Sequence, residues 1–170
     1  QANPFIKDSN PVLTLLRVKK WLNDSSSTMT TVAGTGSQGS TSNLLNGPFG
    51  IFVDTNFDLY VADCWNHRIQ LFRLGQINGI TVAGSTSPNL TISLNYPSHV
   101  ILDGNKYLFI TDDYNRIVGS DENGFRCIVA CLGGGSTSDK LSYPRSPAFD
   151  SFGNLFVADL NNNRIQNFGY

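Results

Sequence analysis

A chain of 170 residues is enough for one ordinary domain and short for two. Its composition, 40% hydrophobic with 11 Phe and 6 Tyr, can build a core and excludes wholesale disorder. Charged residues make up only 15%, and 12 Lys plus Arg against 13 Asp plus Glu leave no basic excess of the kind a phosphate-tracking protein needs.

No apolar run approaches the roughly twenty residues of a membrane helix, so no membrane span is expected. The chain opens at Gln1, its one methionine is Met29, and no signal-peptide pattern is present. The expectation is a removed leader or a piece of something longer.

In chain order, residues 1–16 carry little pattern and read as a degenerate strand or tail. Arg17-Val18-Lys19-Lys20-Trp21 is the first strand-like run, followed by Thr31-Val32-Ala33-Gly34. Asn23-Asp24-Ser25 lies between them as a glycosylation sequon, and Asn89-Leu90-Thr91 is a second one further on.

From Pro48 the chain repeats. Pro48-Phe49-Gly50-Ile51-Phe52-Val53-Asp54 returns as Pro97-Ser98-His99-Val100-Ile101-Leu102-Asp103, 49 residues on, and as Pro144-Arg145-Ser146-Pro147-Ala148-Phe149-Asp150, another 47 on. Each is followed by a run ending in Asp: Leu59–Asp63, Leu108–Asp112 and Leu155–Asp159. Next come Asn66-His67-Arg68-Ile69-Gln70, Asn115-Arg116-Ile117-Val118 and Asn163-Arg164-Ile165-Gln166, with the arginines 48 and 48 apart. The Thr-Val-Ala-Gly run recurs as Thr81-Val82-Ala83-Gly84 and, weaker, as Ile128-Val129-Ala130-Cys131. Self-similarity on this scale defines a repeat protein. Four β-branched or aromatic runs in each repeat, parted by Gly, Asn and Asp turns, match one four-stranded propeller blade.

The combined motif Pro-x-Gly-Ile-x-Val-Asp, Leu-Tyr-Val-Ala-Asp, Asn-His-Arg-Ile-Gln resembles the NHL repeat. That resemblance implies an all-β fold, a β-propeller of four-stranded antiparallel blades, with the Pro-led strand innermost. On this reading residues 17–34 are the last two strands of a preceding blade. Residues 48–84 and 97–131 are complete blades, and 147–168 give three strands of a further one, thirteen strands in all. A little over three blades cannot close a ring, so remaining blades or a second copy are expected to complete it.

The pairs Asp63 with Arg68, Asp112 with Arg116, and Asp159 with Arg164 recur in every repeat, which points to hairpin structure rather than chemistry. Asp54, Asp103 and Asp150 are expected to cap the turn after the innermost strand. His67 reads as a hairpin residue. Residues that break the repeat around the channel are the candidate ligand or partner contacts: Phe49, Ser98, His99 and Arg145. Trp65 and Tyr114 join them, either as exposed anchors or as plugs between blades. Cys127 and Cys131 read first as buried free thiols. A bridge between them requires the strand to end, because four extended steps span about 13 Å and a disulfide needs Cα atoms within about 7 Å.

No catalytic, cofactor or metal site is expected. The function implied is a binding module for a protein or peptide ligand, in an extracellular or secreted setting suggested by the sequons and low charge. An enzyme resembling the peptide-amidating lyases is the alternative, but the positions after Pro48, Pro97 and Pro144 hold Phe49, Ser98 and Arg145 where that family places a zinc-ligating His. RNA recognition, known for some NHL propellers, lacks the basic stripe it needs.

Overall fold

The computed structural model describes residues 5–7, 17–21, 29–88 and 91–169. The sequons at Asn23 and Asn89 lie outside the described residues. Among the described residues there are fourteen strands, one more than the thirteen expected. β1 (Phe5–Lys7), β2 (Val18–Trp21) and β3 (Met29–Ala33) form the first antiparallel sheet. The additional strand is β1, which pairs with β2 through Phe5 opposite Lys20.

β4 (Pro48–Val53), β5 (Leu59–Asp63), β6 (Arg68–Phe72) and β7 (Ile80–Gly84) form a four-stranded sheet in sequential order. β8 (His99–Leu102), β9 (Leu108–Asp112), β10 (Arg116–Asp121) and β11 (Gly124–Val129) repeat it. β12 (Pro144–Phe149), β13 (Leu155–Asp159) and β14 (Arg164–Phe168) make a three-stranded sheet. Strand β12 starts at Pro144 rather than at 147, because Arg145 already pairs with Ala158 across an irregularity that includes Ser146 at φ 46°.

Strand alternation explains why the sheets stack. Leu59 and Val61 point to one face of β5 and pack with Val18, Ala33 and Leu45 of the preceding sheet and linker. Tyr60 and Ala62 point to the other and pack with Val100, Ile110 and Val118 of the next sheet. The pattern recurs where Phe109 and Ile117 meet Leu155 and Val157. Burial on both faces makes β5 apolar at every position but its terminal Asp. The contacts between neighbouring sheets concentrate on β4, β8 and β12, which places these strands at the convergent inner edge.

The turn carboxylates act as expected. Asp54 Oδ1 accepts from the Asn56 and Asp58 amides, Asp103 Oδ1 from Asn105 and Tyr107, and Asp150 Oδ1 from Phe152 and Asn154.

One part of the repeat alignment is corrected. Ile69 pairs with Ala83 and Ile117 with Val129, so Ala130 rather than Cys131 is the counterpart of Gly84. Gly84 and Ala130 share positive φ, 81° and 56°. The reversal at Ala130 ends the strand and brings Cys131 back to Cys127, with Cα atoms 5.7 Å apart and the sulfurs bonded. The reading of these cysteines as buried free thiols is therefore overturned.

Candidate functional site

Antiparallel connectivity sorts the loops onto two faces. The β4–β5 and β6–β7 turns lie on one face. The β5–β6, β9–β10 and β13–β14 turns lie on the other, with the linkers that lead into β8 and β12. The candidate residues converge on this second face.

The repeated Asp–Arg pairs build its framework. Arg68 Nε donates to Asp63 Oδ2 at 2.8 Å, and its terminal nitrogens donate to the Ser40, Thr41 and Leu44 carbonyls. Asp63 also accepts from the Asn46 amide and from Asn66 Nδ2. Around Asp159 and Arg164 the arrangement recurs with Ser142, Asn162 and the Ser136, Thr137 and Lys140 carbonyls. The Asp112–Arg116 hairpin is one residue shorter and has no Asn in that place. Its carboxylate accepts from the Tyr114 amide instead, and among the described residues Arg116 donates to the Ser93 carbonyl. These groups are fully engaged in holding linkers to hairpins.

Burial raises the Asp63 carboxyl against the opposing pull of Asn46, Asn66 and Arg68, and it likewise raises Asp112. For Asp159 burial also acts upward, but the bonds from Asn162, Ser142 and Arg164 outweigh it and the pKa is lowered. The same hairpin thus titrates in opposite directions according to whether burial or the bonds to its carboxylate prevail.

His67 sits at the left-handed end of its turn, φ 54°, and its Nδ1 accepts from the Tyr96 amide at 3.1 Å while the two rings meet at 4.3 Å. Asn115, φ 60°, plays the same part for the Tyr143 amide. His67 is a latch between successive sheets.

Around the inner edge, Phe49, Arg145 and Tyr143 cluster. The Arg145 guanidinium carbon lies 5.4 Å from the Phe49 ring centre and 4.9 Å from that of Tyr143. Arg145 Nη1 donates to Asp113 Oδ1 at 3.3 Å and to the Pro144 carbonyl at 3.2 Å. His99 meets Phe49 edge-on at 6.3 Å, and its ring occupies the space a side chain at Gly50 would need, 2.7 Å from such a Cβ. Trp65 and Tyr114 are each 54% exposed; the Trp65 ring lies over Gly47, and Tyr114 carries Arg116 over its ring at 4.9 Å. They are surface groups and not plugs.

Ser98 does not belong to this surface. It is 2% exposed, and its hydroxyl is shared between Thr111 Oγ1 and the Pro144 carbonyl. It ties the inner strand of one sheet to that of the next and cannot touch a ligand. Sequence reasoning missed Asp113, Tyr96 and Tyr143. A signal existed for all three: Asp113 takes the place of Cys64 and Leu160, and the tyrosines take that of Gly47. Cys64 is buried nearby, and burial, with Asp113 adding to it and Arg145 opposing it, pushes its thiol up to about 11. It is no nucleophile at neutral pH. The described residues contain no group of three His, Cys, Asp or Glu side chains able to hold a metal. No helix among them is long and apolar enough to cross a membrane.

No protein-family model matches the chain, and no curated protein matches it in sequence. Solved structures do match its fold. A streptogramin B lyase aligns with a TM-score of 0.57 at 14% identity, covering 89% of this chain and 47% of that one. A chain of a nidogen/laminin complex aligns with a TM-score of 0.56 at 14% identity, covering 89% of this chain and 57% of that one. The chain spans about half the length of these structures. The fold is that of a partial β-propeller, built of four-stranded antiparallel blades.

Proposed function

We propose that this chain is the NHL-type portion of a β-propeller that binds a protein or peptide on one ring face, in an extracellular setting. The observation that carries the reading is the concentration of exposed aromatic groups on that face. Phe49, Trp65, Tyr96, Tyr114 and Tyr143 are all exposed there, with Arg145 against the Phe49 and Tyr143 rings, His67 against Tyr96 and Arg116 over Tyr114. Rigid aromatic groups beside arginine are the usual anchors of a protein interface. Among the described residues the opposite face exposes Phe57 and Phe152 at two separate turn tips, together with the aliphatic Leu74 and Ile77 of the β6–β7 turn. The NHL assignment is supported by the Pro-led, Asp-ended and Arg-Ile runs, which follow one another in the same order in each repeat. The likeness to a propeller from a nidogen/laminin complex agrees with a binding role outside the cell.

On this reading the ring is completed by further blades or by a second copy. In support, Ile165 on the last sheet is 67% exposed, whereas its counterparts Ile69 and Ile117 are fully covered by a following sheet. Selection of displayed random peptides on the 170-residue chain tests the binding function. Trp65→Ala with Tyr143→Ala is expected to abolish capture of the selected peptides, and Phe57→Ala with Phe152→Ala to leave it intact. Peptides that depend on the second pair, or a selection that yields none, overturn the reading.

A further inference from the structure

Arg145 is only partly spent by its neighbours. Its side chain is 19% exposed and carries two hydrogen bonds, both from Nη1. Among the described residues Nε and Nη2 have no partner. These two nitrogens form the edge of the guanidinium that takes a carboxylate in a paired, in-plane grip. The opposite edge is tied by Asp113 and the Pro144 carbonyl, and the Phe49 and Tyr143 rings lie against the group. The guanidinium is therefore oriented before any ligand arrives, which removes much of the ordering cost of binding. It stands on the innermost strand β12, where the inner edge opens onto the aromatic face.

We infer that Arg145 is a carboxylate clamp, and that the partner of the aromatic face presents an acidic side chain flanked by apolar residues, seated on Arg145 between Phe49 and Tyr143. The inference rests on the reading of this face as a binding surface and adds the chemistry of what it recognises. Charge selects the acidic group, and the surrounding rings select its neighbours. Asp113 holds the opposite edge through an acceptor oxygen while its charge tempers the affinity, so replacing it by Asn, which keeps the acceptor and removes the charge, strengthens binding.

The test uses the isotope-labelled 170-residue chain titrated with the acetylated, amidated peptide Gly-Leu-Asp-Leu-Gly and its Asn counterpart, read by NMR. The Asp peptide is expected to shift the Arg145 Nε–H signal and to bind at least about tenfold more tightly than the Asn peptide, as a charge-assisted pair requires. Arg145→Gln should erase that difference. Asp113→Asn, which leaves the clamp in place, should tighten the Asp peptide by about two- to fivefold, the scale of a partly exposed ion pair. Equal binding of the two peptides, with shifts confined to Trp65 and Tyr143, overturns the clamp and leaves the face a binding surface. Discrimination that survives in Arg145→Gln also overturns it. No shift anywhere on the face overturns both readings.

Discussion

At His67 a backbone requirement selects the side chain. The residue must tolerate a left-handed φ and offer an acceptor to the Tyr96 amide, and Asn115 meets both needs for Tyr143. Asn163 has the same conformation, φ 51°, in the last sheet. His67→Asn should therefore fold with unchanged stability, while His67→Ala should cost about 1 kcal/mol in urea unfolding through the orphaned amide. Asp159 yields a pH prediction of definite sign. Its folded-state pKa is lowered, so its bonds contribute stability above the ordinary carboxylate value near 3.9 and lose it as the pH falls through the lower folded value. The protection of the Ser142 amide, its exchange rate relative to the unprotected rate at the same pH, should fall in that acid window. Asp63 has the opposite sign: its raised pKa gives stability below the ordinary value that is lost as the pH rises through the folded one. An NMR titration of both carboxyls checks the order.

The hairpin between the second and third strands of each blade is the element that locks a linker in place, and its energetics follow burial. Arg68 is almost fully enclosed, its side chain 4% exposed, and satisfies three linker carbonyls as well as Asp63, whereas the Arg116 side chain is 18% exposed. Arg68→Ala strands a buried carboxylate and should cost about 3–5 kcal/mol. Arg116→Ala, in the shorter and more open hairpin, should cost less, and paired unfolding curves decide the order. These arginines were legible in the sequence because an element needed by every blade must recur in every blade. The outer-strand bridge was legible only as one of two alternatives: Ala130 occupies a left-handed position that its neighbours fill with glycine, and an alignment on residue type slides by one residue there.

At the scale of the whole molecule, each sheet is stable only as a layer between others. Ile69 and Ile117 are sealed by the sheet that follows, and Ile165 occupies the same register with its face open. Replacement by Ala should cost about 2–5 kcal/mol at Ile69 or Ile117 through the cavity left behind. At Ile165 it should stay within about 0.5 kcal/mol. Denaturant midpoints of the three variants measure this directly, and an Ile165 value equal to the others would show that the last sheet is covered in solution.

The sequence alone determined the propeller architecture, the strand runs and the structural role of the Asp–Arg pairs, because a 48-residue repeat displays each rule three times over. It singled out Arg145 and Phe49 as departures from the repeat but could not say that they touch, since they stand 96 residues apart and meet only through the convergence of the inner strands. Tertiary structure alone decided that Ser98, at the same repeat position, turns inward to Thr111 and Pro144. It also joined Asp113 and Tyr143 to the Arg145 site. The physical reason is that repetition encodes what all blades share, while a binding surface is made of side chains that differ from blade to blade. Their neighbours are set by how the sheets stack.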